Sequence, residues 1–420
     1  MASTPRTVDA RDVEEAAARL VDAVAATPLQ RSDRLSRLTG LDVWFKREDL
    51  QHARSYKARG AYNLISRLSP EEVARGVVCA SAGNHAQGVA HACHVLGVTA
   101  RIYLPRTTPR QKRQRVAAIG GTAVQVVIEG DYYDEAAAAA LADADRTGAV
   151  LVPPFDHPDI VAGQGTLAIE LVQQLGRAPE AVVVPVGGAG LLAGLVAWFA
   201  ERHPSVSVVG AEPAGAASLT AALVHGGPVT LPSVDTFVDG ASVARVGELP
   251  YALVAGRADR VLTVEEGAIC TEMIDLYQEE GIVAEPAGAL AGAALRGAQL
   301  GLAPGSTVVC LLSGGNNDLS RYAEVVERSL VHEGRKHYFM VDFPQEAGSL
   351  RRFLDEVLGP DDDITLFEYA KRSNREVGPA LVGIELGQPG DIDALLGRMA
   401  RSPVRATHLP ADAQITRFLV

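Results

Sequence analysis

Along most of this chain apolar runs alternate with amphipathic helical stretches, and that alternation limits the folds open to it. GVVCASAG, TARIYLPR, TAVQVVIEG, AVLVPPF, AVVVPVGG, VSVVGAEP and STVVCLLSGG read as buried strands, most of them followed by ten or more residues of helical pattern. Strands apolar on both faces need cover on both faces, so the pattern predicts βα units in a mainly parallel sheet. Ligands of such sheets sit beyond the carboxyl ends of the strands. Several of those ends carry unusual residues here: SAGNH, PPFDHP, GGAG and SGGNN. Around Glu324–Lys336 the pattern changes. The remainder of the chain reads as strand HYFMVDF, helix GSLRRFLDEVL, strands ITLFEYAKR and PALVGIEL, helix DIDALLGRMARS and strand VRATHLP. That βαββαβ order is ferredoxin-like. The expected organisation is an α/β body over residues 1–325, a connector at 326–336 and a small α+β module at 337–420.

Bulk properties narrow the function. With 420 residues, 47% of them hydrophobic, the chain has ample material for a core. Cys79, Cys93, Cys270 and Cys310 show no metal-ligand spacing and read as buried thiols in a reducing compartment. The net charge of −12 disfavours nucleic acid as a partner. The one basic run, Pro105–Arg115, lacks interleaved aromatics and reads as a solvated helix face. The N-terminus is charged and amphipathic, unlike a signal peptide, so a cytoplasmic location is expected. Ala181–Ala200 carries no charge and is long enough to span a bilayer. Pro185 and its glycines instead break it into a strand, a turn and a helix, and no membrane partner is expected.

The candidate chemistry lies at the strand ends. In SYKARG, Lys57 is one of only five lysines against thirty-four arginines. Lysine can lose its proton and form a Schiff base, which a guanidinium cannot. At a helix start the dipole and burial both disfavour the ammonium form. On this stretch alone an exposed first-turn lysine remains an open alternative, and Arg59 reads as structural or as an anion anchor. Gly187, Gly188 and Gly190 let backbone N–H groups approach an anion, with a helix N-terminus behind them. The same glycines fit a dinucleotide fingerprint, with Glu212 at the distance of a ribose-binding acid. Its mid-chain position and the lack of a second nucleotide-binding half speak against that use. SAGNHAQG, Ser81–Gly88, also opens a helix after a strand. Its backbone could cradle a carboxylate, Asn84 could hold a phenolate oxygen, and His85 reads as catalytic or as a hydrogen-bonded structural residue. His91 and His94 share a helical face, but no third ligand accompanies them, so no metal site is expected. Ser313 stands at a strand end beside two glycines without the setting of a nucleophilic serine. Glu285, in an apolar stretch, needs either a partner or a role with a raised pKa.

Taken together and in this order, KREDLQHARSYKARGAYN, SAGNHAQGVA, PPFDHPDIVAGQGT, VPVGGAGLLAG, TFVDGASV, VAEPAGALA and LLSGGNND resemble the fold-type II (tryptophan-synthase-β-like) pyridoxal-phosphate enzymes. The likeness is greatest to the biosynthetic threonine ammonia-lyases, and it covers almost the whole chain. It implies a two-lobed catalytic domain, the smaller lobe spanning about 55–157, in which Lys57 carries pyridoxal 5′-phosphate covalently. Asn84 would hold the ring oxygen, Gly187, Gly188, Ala189, Gly190 and Leu191 the phosphate, and Ser313 the ring nitrogen. Ser81, Ala82, Gly83, Asn84 and His85 would take the substrate carboxylate. Ala189 replaces a glycine common in the family, a mild change if its backbone geometry is ordinary.

The implied reaction is α,β-elimination from L-threonine to 2-oxobutanoate and ammonia, with pyruvate from L-serine. Lys57 would remove the α-proton, and the cofactor would delocalise the charge left behind. A related serine/threonine dehydratase or racemase without isoleucine control is the alternative. Racemases of this fold place a serine where Ala82 stands, and Ser218 replaces an acid of their metal site, so elimination without a divalent metal is expected. The tail resembles a single ACT-like regulatory domain. That implies isoleucine as feedback inhibitor, valine as its antagonist, and a homotetramer. The competing readings are an inert folding or oligomerisation module for the tail and an amino-acid sensor without chemistry for the body.

Overall fold

The computed structural model describes residues 7–369 and 376–410. The chain forms two compact units, Met1–Asp318 and Leu319–Val420.

The first unit contains two sheets. The larger has six strands in the order β1 (Leu29–Arg31), β2 (Asp42–Arg47), β10 (Thr307–Leu312), β7 (Ala181–Pro185), β8 (Ser207–Pro213) and β9 (Arg260–Val264). Only β1 is antiparallel to its neighbour. The smaller sheet is wholly parallel, in the order β5 (Val124–Ile128), β4 (Ala100–Leu104), β3 (Val77–Ala80) and β6 (Val150–Leu151). Every residue of β3, β7 and β10 is buried, as expected of strands covered on both faces. The uncharged stretch that could have crossed a bilayer is β7, a turn and the helix Gly190–Arg202. Among the described residues no helix is long and apolar enough to cross a membrane.

The lysine of SYKARG opens the helix Lys57–Ile65, and the surroundings fix that helix closely. A Cβ at Gly60 would stand 2.9 Å from the Ile160 carbonyl oxygen. One at Gly163 would stand 2.7 Å from the Gly60 Cα. The backbones of Lys57–Ile65 and Pro158–Leu175 therefore touch without intervening side chains. The turn before Lys57 is held against the loop after β10, with Tyr56 N donating to the Ser313 oxygen at 3.1 Å and Gly315 N to the Arg54 oxygen at 3.0 Å. Arg59 is structural. Fully buried, it donates to both oxygens of Glu48 (2.9 and 2.8 Å) and to both of Glu170 (2.6 and 3.0 Å).

The second unit has the antiparallel sheet order β12 (Asp363–Tyr369), β13 (Val377–Glu385), β11 (Lys336–Pro344) and β14 (Arg405–Leu409). With helices Ser349–Glu356 and Ile392–Arg401 this gives βαββαβ in chain order. In β11 the buried Phe339, Val341 and Phe343 alternate with partly exposed neighbours, the period-2 pattern of a sheet with one covered face. They pack with Phe353, Val382, Ile384 and Leu395. The stretch expected to be a connector is helical from Tyr322 to His332 and belongs to this unit. The Lys371–Arg372 end of ITLFEYAKR and residues 411–420 lie outside the described residues.

Candidate active site

The carboxyl ends of β3, β7 and β10 converge within the first unit. There a cavity of about 690 Å³ is lined by Lys57, Ser81, Ala82, Gly83, Asn84 and His85 and, from the opposite side, by Gly187, Gly188, Ala189, Gly190 and Leu191. Ser313 reaches a small adjoining recess that it shares with Lys57, Asn84 and Glu285. Residues read separately from the sequence thus line two neighbouring spaces that share Lys57, Asn84 and Glu285.

Lys57 Nζ donates to the Pro154 carbonyl oxygen at 2.8 Å. Its side chain lines the cavity, and desolvation pushes its pKa down to about 8, with Glu285 opposing part of the shift. The neutral amine is therefore far more accessible near neutral pH than in an ordinary lysine, and that is the form a Schiff-base nucleophile requires. Burial in turn pushes Glu285 up to about 7, partly offset by the hydrogen bond that Asn84 Nδ2 donates at 2.6 Å. His85 lies against the Val152 oxygen through Nε2 (2.8 Å), and burial, aided by Lys57, pushes its pKa down to about 3. Its ring is neutral and serves the scaffold.

Two helix N-termini open on the cavity, at Asn84–Leu96 and Gly190–Arg202, and neither receives a side-chain cap. Their first N–H groups remain available to anions. The second begins in a cradle with no room for side chains: a Cβ at Gly188 would overlap the Phe155 ring, and one at Gly190 would stand 2.9 Å from the Phe155 oxygen. An uncapped helix start, a loop stripped to backbone and a lysine of lowered pKa together fit pyridoxal phosphate.

The geometry of Ala189 is not ordinary. It sits at φ 66°, ψ 4°, in the left-handed region that favours glycine, so the change from glycine carries a backbone cost of about 1 kcal/mol. The methyl group is buried in the core, which returns a similar amount, about 0.8 kcal/mol. Ala189→Gly should therefore shift unfolding stability by less than about 1 kcal/mol, measured by urea titration. A larger change would show that one of the two terms dominates.

Other expectations need correction. The run Pro105–Arg115 is more than a solvated face. Lys112 pairs with Asp239 at the cavity wall, and Arg115 Nε donates to Gln87 at 3.0 Å. The dinucleotide use that the sequence already spoke against has no ribose-binding acid, since the Glu212 carboxylate accepts from Leu219 N (3.0 Å), Thr220 N (2.7 Å) and Thr220 Oγ1 (2.6 Å) at a helix start. Sequence reasoning assigned no role to Pro154, Phe155 or Asn316, although PPFDHP and SGGNN had stood out as strand ends.

Comparison with known proteins agrees with this geometry. A family model described as pyridoxal-phosphate dependent enzyme matches residues 20–314, and one for the C-terminal regulatory domain of threonine dehydratase matches residues 327–419. The biosynthetic L-threonine dehydratase of Mycobacterium bovis is 60% identical over 411 residues, covering 97% of this chain and 95% of its own. The processed form of threonine deaminase isoform 2 from Solanum lycopersicum superposes with a TM-score of 0.72 at 38% identity, covering 78% of this chain and 96% of that one. Maize serine racemase gives 0.71 at 31% identity, with 78% and 99% covered.

Proposed function

The chain belongs to the pyridoxal-phosphate-dependent enzymes and, among them, to the biosynthetic L-threonine dehydratases, and on that premise we propose that Lys57 both bears the cofactor and moves the substrate proton. The enzyme is a lyase that converts L-threonine to 2-oxobutanoate and ammonia on the route to isoleucine. The observation that carries the assignment of residues is the shared cavity. The lysine amine, the glycine-rich loop and the uncapped helix starts all line it.

When bound, pyridoxal phosphate withdraws electron density from the α-carbon of an attached amino acid and so acidifies its hydrogen. The remaining tasks fall to the chain. Backbone N–H groups from Gly187 to Leu191 would hold the phosphate, and Asn84 would donate to the ring oxygen. The Ser313 hydroxyl, which donates to the Ala287 oxygen at 3.1 Å, would meet the ring nitrogen. The Ser81–His85 turn holds the substrate carboxylate. Lys57, once freed, would take the α-proton, and the β-hydroxyl would depart with a proton as water. The unsaturated amine then tautomerises and hydrolyses to the 2-oxo acid. L-Serine enters by the same route and yields pyruvate. Ala82 offers no second base on the opposite face, which favours elimination over racemisation.

The second unit serves as the sensor, with isoleucine as inhibitor and valine as its antagonist, in a cytoplasmic homotetramer. Supporting this is a cavity of about 170 Å³ lined by Phe343, Gly348, Ser349, Leu350, Phe367 and Tyr369, among others. Gly348 (φ 88°) turns the chain into the helix Ser349–Glu356 at its edge, and the size suits one small amino acid. The test is the initial rate of 2-oxobutanoate formation from L-threonine, with and without L-isoleucine, in the wild type and in Ser349→Trp. The expected result is inhibition of the wild type and an uninhibited variant of unchanged basal rate. Equal inhibition of both would move the effector site elsewhere, and no turnover of threonine would overturn the assignment.

A further inference from the structure

With Asn84 on the cofactor's ring oxygen, the reading on which this proposal rests, the direction of its side-chain amide becomes decisive. An amide can hold an anionic oxygen only with its NH₂ end; turned by 180°, it would present a second acceptor and repel it. Asn84 lies in the first turn of its own helix, where nothing in the local sequence selects one orientation.

Two residues distant in sequence make the choice. Asn316 Nδ2 donates to the Ala53 carbonyl oxygen at 2.9 Å and to Asn84 Oδ1 at 2.6 Å. Turning Asn316 over would set its oxygen against the Ala53 oxygen, so Asn316 presents N–H to Asn84 and Asn84 must accept there. On the other side Glu285, 3% exposed, presents carboxylate Oε1 at 2.6 Å from Asn84 Nδ2. Oε1 accepts whether the carboxyl is ionised or carries its proton on the other oxygen, and with Asn84 Oδ1 taken by Asn316 it is Nδ2 that donates there. Glu285 is itself fixed: its N–H donates to the Gly314 oxygen at 3.2 Å, and the backbone N–H of Asn316 donates to its carboxylate. The two anchors agree. Asn84 Nδ2 keeps one hydrogen without a partner among the described residues, on a side chain that lines the cavity.

We propose that Glu285 and Asn316 are positioning residues that lock the Asn84 amide with its free N–H toward the cofactor's ring oxygen. What they supply is orientation, so the acceptor oxygen of residue 285 matters more than its charge. Glu285→Gln retains an acceptor at that place, Glu285→Ala removes it, and Asn316→Asp replaces the opposing donor with an acceptor of the same shape.

The test uses the full-length protein with pyridoxal phosphate as the probe. Two quantities are read: the dissociation constant of the cofactor, and the ratio of its visible to its near-ultraviolet absorption band. The ratio reports whether the ring oxygen is anionic, which a purely structural defect would not move. Glu285→Gln is expected within about twofold of wild type. Glu285→Ala is expected to bind about tenfold more weakly, the worth of one hydrogen bond to a charged group, with the ratio shifted toward the near-ultraviolet. Asn316→Asp shifts the ratio the same way and keeps the test open if Glu285→Ala fails to fold. Unchanged ratios in Glu285→Ala and Asn316→Asp, or a Glu285→Gln that behaves like Glu285→Ala, would overturn the proposal. A wild type that binds no pyridoxal phosphate would instead overturn the reading of the site itself.

Discussion

Lys57→Ala is expected to lower 2-oxobutanoate formation by about 10³-fold or more, because one side chain both bears the cofactor and transfers the proton. It should do so without unfolding the protein. Among the described residues the amine has a single hydrogen-bond partner, the Pro154 oxygen. Burial holds its pKa at about 8, below the ordinary 10.5, so folding disfavours the ammonium. That cost is present in full below pH 8 and fades as pH rises from there to the ordinary lysine value. The cofactor-free variant should accordingly melt no lower than the cofactor-free wild type at pH 7, by thermal unfolding. A variant that loses activity and melts much lower would show that Lys57 is a scaffold residue.

The second large effect is expected two residues further along the same helix. Arg59→Met should destabilise the protein by about 3–5 kcal/mol, since it leaves the buried Glu48 carboxylate without its ion-pair partner. Glu48 and Arg59 are both fully buried, and Arg59 also bonds Glu170, which Lys46 reaches at 2.7 Å. Burial pushes the Glu48 carboxyl up, but the Arg59 guanidinium more than offsets it and holds it below its ordinary value. A carboxylate with a depressed pKa stabilises the fold above its unfolded pKa, and that contribution is lost as pH falls through the folded one. The gap between Arg59→Met and wild type, measured by urea unfolding, should therefore be widest near neutral pH and narrow in acid. A gap independent of pH would assign the loss to packing alone. Cofactor occupancy should fall with stability, because this network ties down the helix that begins at Lys57.

How much of this was legible in the sequence depended on the range of the interaction. The βα alternation, the break near residue 324 and the loops at strand ends are local patterns, and the cavity gathers those loops because parallel strands send their carboxyl ends the same way. The orientation of Asn84 was not legible, because its partners lie 201 and 232 residues away. The same holds for Lys112, whose partner Asp239 reaches it only once the fold is complete. The cost at Ala189 depended on a φ value that composition does not encode, and Arg59 was left between two roles until Glu48 and Glu170 closed around it. Glu285 came nearest to being deduced: a carboxylate in an apolar stretch had to have a partner, though which one was a matter of topology.

The most direct test of the site is to reduce the pyridoxal-phosphate-loaded protein with borohydride, digest it and locate the modified residue by peptide mass. Modification confined to Lys57 is the expected result. Modification at Lys46, Lys112 or any other lysine, with Lys57 unmodified, would contradict the assignment of the cavity as the catalytic centre.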